Sequence, residues 1–293
     1  MSAELRDFVS WDFAGLVFGR LADTWCAAAA QTCHRWHGAL SPRRARSRGR
    51  LALRDLVLSE GLLEWAEASG CPQRLLDRAC ALAAQEGRLA TLVWARANGY
   101  PLETGGVSGP DVCEGAAAGG HLEALRWALD CGAAWDERAC AAAAKGGHLR
   151  LLKWARARGA PWNARTCIGA AVAGRLDVLR WAYANGAPCP AIVCASAAGA
   201  GQLAALQWAR AHGVPWGGAC AAAAGGGHLA VLQWARANDA PWDKSVCAQA
   251  ACHGHCELLQ WARASGAPWD TRVCGLAAAN GHLALLQWAH ASG

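Results

Sequence analysis

Nine tryptophans recur at one place in a repeating phrase: Trp65, Trp94, Trp127, Trp154, Trp181, Trp208, Trp234, Trp261 and Trp288. From Trp127 onward the step is 27 residues, apart from one step of 26 between Trp208 and Trp234. A fixed period of about 20–50 residues marks a solenoid, because a unit that short can bury its apolar face only against its neighbours. The period predicts an array over residues 52–293, with residues 1–40 as a separate piece and residues 41–51 as a linker. A solenoid presents an extended surface, so binding is expected ahead of chemistry.

Residues 140–162 show how one unit is built. Cys140 opens an alanine run, Gly146 and Gly147 break it, and His148 starts a second stretch containing Leu149, Leu152 and Trp154. Alanines recur three and four residues after the cysteine, as in Ala143–Ala144, Ala170–Ala171 and Ala223–Ala224. Side chains that small let two helices approach closely. The apolar spacing after His148 predicts a second helix with its tryptophan on the inward face, as core. That helix stops at a glycine five residues past the tryptophan: Gly70, Gly99, Gly132, Gly159, Gly186, Gly213, Gly266 and Gly293. Glycine there accepts the left-handed conformation that ends a helix. Asp239 holds this place in one repeat, which is expected to be frayed or strained. Proline follows two residues later at positions such as Pro161, Pro188 and Pro241, and cannot continue the helix.

The phrase Cys-x-x-Ala-Ala-x-x-Gly-His-Leu at 140–149 and 220–229 resembles the ankyrin repeat, with cysteine replacing a leucine. The resemblance implies an all-α solenoid of about nine helix–turn–helix units. The family's Thr-Pro start is missing, and a period of 27 implies that the hairpin fingers are cut to short loops. The step of 33 from Trp94 to Trp127 leaves room for one full finger near Glu103–Pro110. The wording Trp-Ala-Arg-Ala-x-Gly-Ala-Pro-Trp is similar to ankyrin-like arrays coded by large DNA viruses of amoebae and some protists.

Residues 9–36 carry apolar side chains at 9, 13, 16, 17, 18 and 21, then Cys33 and Trp36. The register resembles the F-box, with Val9, Phe13, Val17, Phe18, Leu21 and Trp36 on its apolar positions and Asp12 on its acidic one. Ser10 stands where the family has proline. The resemblance implies that these six apolar residues contact a Skp-type adaptor of a cullin-RING ubiquitin ligase. On the residues alone, the segment can equally be a cap on the first repeat.

The net charge is +6, and five of the bases are Arg43, Arg44, Arg46, Arg48 and Arg50. The run reads as a nuclear address, a nucleic-acid contact or a solvated linker. The linker is preferred, and no nucleic-acid partner is expected. Eight of the fifteen cysteines are periodic (Cys80, Cys113, Cys140, Cys167, Cys194, Cys220, Cys247 and Cys274), which makes them packing residues of a reducing compartment. No stretch approaches the length of a membrane span, and Met1–Arg6 lacks a basic signal-peptide start. An intracellular protein, cytoplasmic or nuclear, with no membrane or cofactor is expected.

No phosphate loop, nucleophile elbow or His-Glu-x-x-His stands in the chain, so no enzyme is expected. His121, His148, His228, His255 and His282 recur where other repeats have Arg88, Arg175 or Gln202, a structural rather than catalytic pattern. Cys252, His253, His255 and Cys256 form a metal-like cluster, and drift within one repeat is the preferred reading. Trp135, Trp162, Trp216, Trp242 and Trp269 form a second, loop series broken by Cys189. They are either an exposed aromatic row or covers for the next repeat, the latter preferred. Residues that differ between repeats are the candidates for holding a target: Asp136, Arg138, Lys145, Arg165, Asp243, Lys244, Asp270 and Arg272, with Glu114, Glu137, Asn163 and Ile168 also varying.

Overall fold

A computed structural model of the chain describes residues 73–100 and 111–291. The F-box-like segment, the linker, the repeat around Trp65 and the expected finger at 103–110 lie outside those residues. The chain divides into two compact units within the span expected for the array, one reaching Trp135 and one starting at Asp136.

In the first unit the described helices are α1 (Gln73–Gln85), α2 (Leu89–Ala97), α3 (Val112–Gly119) and α4 (Leu122–Asp130). In the second they are α5 (Glu137–Gly146), α6 (Leu149–Ala157), α7 (Ala164–Val172), α8 (Leu176–Ala184), α9 (Ile192–Gly199), α10 (Leu203–Ala211), α11 (Ala219–Gly225), α12 (Leu229–Ala237), α13 (Lys244–Cys252), α14 (Cys256–Ala264), α15 (Arg272–Ala279) and α16 (Leu283–Ala291). No strand occurs among the described residues. Each odd helix packs on the even helix that follows it, and in each unit the odd helices also stack on one another. This is the expected all-α solenoid of ankyrin-like helix–turn–helix repeats, with short loops in place of fingers.

Alanine makes the stacking close. Ala143, Ala144, Ala170, Ala171, Ala223 and Ala224 are all fully buried. A Cβ added at Gly115 of α3 would stand 2.2 Å from the Ala81 carbonyl oxygen of α1, so that crossing is closed to any larger residue. The periodic cysteines share this layer. Seven of the eight are buried, Cys274 is half-buried, and burial pushes the thiols of Cys140, Cys194, Cys220 and Cys247 up to about 11. At neutral pH they remain protonated packing groups.

The second helices correct the sequence reading. Of the periodic tryptophans within the described residues only Trp208 is buried, and the rest are half-buried. The deepest large side chains are Leu92, Leu125, Leu152, Leu179, Leu206, Leu232 and Leu259, each two residues before its tryptophan. Burying a leucine stabilises by about 1.5–3 kcal/mol, so one such residue per repeat is a large share of its stability. Residues two apart on a helix point to opposite sides, so with the leucine turned inward its tryptophan lies toward the rim.

Both helix ends stop as expected. Gly159 and Ala160 donate to the Arg156 and Ala155 carbonyls at 3.0 and 3.1 Å, the double bond pattern of a left-handed stop. Gly147 and His148 repeat it on α5 at 3.2 and 2.9 Å. Asp239 takes the same left-handed place at φ 61°. Its helix, α12, is as long as its neighbours, so the expected strain is present without fraying.

Candidate interaction surface

The loops that join repeats carry a recurring aromatic–cation unit. The arginine two residues past each second-helix tryptophan turns back over the loop tryptophan: Arg156 on Trp162, Arg210 on Trp216, Arg236 on Trp242 and Arg263 on Trp269, at 4.2–5.0 Å. The Arg236 guanidinium also donates to the Ala240 carbonyl at 2.7 Å, and Arg156 and Arg210 bond the matching carbonyls of Ala160 and Val214. Each loop tryptophan then meets the helix tryptophan of the following repeat: Trp162 with Trp181, Trp216 with Trp234, Trp242 with Trp261 and Trp269 with Trp288, with centroids 5.8–6.0 Å apart. These loop indoles cover the next repeat and are half-buried. The arginines escaped sequence reading, although the repeated Trp-Ala-Arg was there to show them.

The candidates for target binding separate into two kinds. The acids among them start helices. Asp136 accepts from the Arg138 amide at 2.8 Å and from Arg138 Nε at 2.6 Å, and Asp243 accepts from the Ser245 amide at 2.8 Å. Asn163 does the same for Arg165, and Asp270 for Arg272, at 2.9 and 3.1 Å. Burial raises the Asp136 pKa, but the Arg138 side chain, its amide and its charge outweigh that and hold the carboxyl below its ordinary value. The Ser245 hydroxyl and amide lower Asp243 in the same way. An acid or asparagine immediately before a helix is a capping signal, legible in Trp-Asp and Trp-Asn at these loops. Lys244 and Arg272 both reach Asp270, at 3.6 and 2.9 Å, so these three gather at one repeat junction. Lys145 and Arg165 stand exposed at helix ends in other repeats.

Lys145 and Arg165 belong to a wider group of bases that was missed as a group. Residues 136–180 hold nine Lys and Arg against three Asp and Glu, a bias hidden by the near-neutral total of the array. Lys145, Arg150, Lys153, Arg158, Arg165, Arg175 and Arg180 are exposed. None of them has an acid within ion-pair distance among the described residues. Lys153 and Arg180 occupy the same position in successive repeats, just before the tryptophan. Tallying charge along the array rather than over it would have revealed the bias.

The histidines at the second-helix starts are clasps. His255 Nε2 donates to the Gly225 carbonyl and His282 Nε2 to the Cys252 carbonyl, each at 3.0 Å and each reaching the preceding repeat. The metal-like cluster is not drawn together. His253 Nδ1 donates to the Gln249 carbonyl at 3.0 Å, while Cys256 and Cys252 accept from Gln260 and Asn280 at 3.5 and 3.6 Å. Among the described residues no three His, Cys, Asp or Glu side chains stand in position to hold a metal. Nor is any helix there long and apolar enough to cross a membrane.

No family model matches the chain, and no curated protein matches it. Among solved structures it is similar to the human ASB11 ankyrin repeat domain, at a TM-score of 0.43 and 17% sequence identity, over 55% of this chain and 84% of that one.

Proposed function

We propose that the array holds another protein, and that the whole chain is a non-enzymatic substrate receptor. In this reading residues 1–40 dock a Skp-type adaptor through Val9, Phe13, Val17, Phe18, Leu21 and Trp36, and the array presents a target to a cullin-RING ubiquitin ligase. One observation carries the binding role. The repeats stack through alanine, cysteine and leucine, leaving unlike side chains such as Lys145 and Arg165 exposed on an otherwise uniform frame. Regular stacking with varied exposed residues is how solenoids make binding surfaces. The order of the two modules supports the ligase link. The twelve described cysteines are all free thiols, which supports a reducing compartment, cytoplasmic or nuclear.

Ser10, in place of the F-box proline, favours a second reading in which the chain is a scaffold or decoy with no ligase. Affinity purification of the full chain from its native cell separates the two. The receptor reading expects the adaptor to co-purify, and the double variant Val17→Ala, Phe18→Ala to lose it and slow target turnover. An adaptor absent from the wild-type sample sinks that reading and leaves the scaffold.

A further inference from the structure

In one loop the repeating pattern changes its chemistry. Cys189 stands where five other described repeats carry Trp135, Trp162, Trp216, Trp242 and Trp269. The arginine that would stack on that tryptophan is also replaced, by Tyr183. Tyr183 lies edge-on against Trp208 at 5.4 Å and against His212 at 5.6 Å, filling the gap that the missing indole leaves beside Trp208. The smaller side chain at 189 then reaches inward. Cys167 Sγ lies 3.9 Å from the Ala187 carbonyl, two residues before Cys189 in the same loop, and the two thiols are near enough for each to shift the other's titration. Cys167 is fully buried on α7, whereas Cys189 is half-buried. At the matching places of the neighbouring repeats, Cys140 faces a loop with Trp162, and Cys220 and Cys247 face loops with Trp242 and Trp269.

We propose that Cys189 and Cys167 are a peroxide-sensitive pair that closes to a disulfide within this one repeat. Cys189 takes the attacking role because it is reachable from solvent and the neighbouring Cys167 thiol holds its pKa below that of an ordinary thiol. The same pairing, with burial, pushes the Cys167 thiol up, so it stays protonated until it is used. The Cys189 thiolate attacks one oxygen of hydrogen peroxide, forming a sulfenic acid and releasing hydroxide. Cys167 sulfur then attacks the sulfenic sulfur, the S–S bond forms, and the sulfenic oxygen leaves as hydroxide. One hydroxide takes the Cys167 proton and the other a proton from solvent. Two electrons pass from the sulfurs to the peroxide, and two waters result. The bond ties α7 to the loop after α8 and fixes that loop against its own repeat. Cys194, which also senses charge on Cys189, is the competing partner on the following repeat.

The test treats the full reduced chain with stoichiometric hydrogen peroxide, then blocks remaining thiols and maps peptides by mass spectrometry without reductant. The expected result is an intact mass lower by two hydrogens and a Cys167–Cys189 cross-linked peptide, formed before any product at Cys131, Cys252 or Cys256. Cys189→Trp, which restores the residue of the other repeats, loses the cross-link completely. Cys167→Ser traps the sulfenic acid at Cys189, where dimedone labels it. A link from Cys189 to Cys194 or to a second chain overturns the assignment. So does wild-type Cys189 that remains alkylatable by iodoacetamide after Cys131, Cys252 and Cys256 have been oxidised.

Discussion

Asp239 is the one residue other than glycine with a positive φ among those described. Its repeat needs a left-handed stop after α12, and an L side chain there costs about 1–2 kcal/mol, less for aspartate than for most. Asp239→Gly is therefore expected to stabilise the protein by about 0.5–1 kcal/mol, the strain relief exceeding the added freedom of the unfolded chain. Thermal denaturation checks it, and a lower melting temperature would refute the strain account. This site was legible from sequence because glycines such as Gly159 and Gly186 set the rule that Asp239 breaks. The tryptophans were harder. Their period is that of core residues, but so is that of Leu152 or Leu179 beside them, and periodicity alone does not choose between neighbours. The choice shows in the burial. Leu152 and Leu179 are fully buried, and a residue two further along the helix is turned away from the side they take.

At the level of the helix, ends and loops are set by different residues. Starts depend on Asp111, Asp136, Asn163 and Asp243, each in extended backbone and each accepting an amide from the first turn. Replacing such a cap by alanine costs about 1 kcal/mol, which is the expectation for Asp136→Ala. The cap also predicts a pH dependence. The folded pKa of Asp136 lies below its unfolded value, so its stabilisation is fully present above the unfolded pKa, near 3.8. It is lost as pH falls through the lower folded value. Chemical denaturation from pH 7 down through pH 4 and below should show the wild type losing its advantage over Asp136→Ala only in the acid range. A gap already gone at pH 5 would show that the carboxylate is not the source. The repeats containing α9 and α11 lack such a cap, having Ala191 and Gly218 at those places. Helices and stops were readable from the alanine runs and glycines. The loop acids were read as variable surface, although an acid or asparagine just before a helix start is itself a capping signal.

Over the whole molecule, a stack of near-identical units adds its stability repeat by repeat, so a local excess of charge has a local effect. The sequence total conceals such an excess: residues 136–293 carry fourteen Lys and Arg against seven Asp and Glu, while the net charge of the chain is only +6. Arg150 and Lys153 are neighbours along α6, and Lys153 and Arg180 share a register position on successive repeats. Like charges one turn apart on a helix repel by a few tenths of a kcal/mol, and the repulsion of exposed groups is screened by salt over about 8 Å at physiological ionic strength. The second unit is therefore expected to gain about 1 kcal/mol in stability between roughly 20 mM and 300 mM sodium chloride, against the loss expected where surface ion pairs dominate. The double variant Lys153→Glu, Arg180→Glu should start more stable at low salt and show a flatter response, measured as the melting temperature at several ionic strengths. If wild type and variant respond alike, the bases do not repel one another appreciably in the free protein. If the wild type alone gains, the folded array holds unneutralised positive charge that costs stability, and an acidic partner laid over α6 and α8 would relieve that cost on binding.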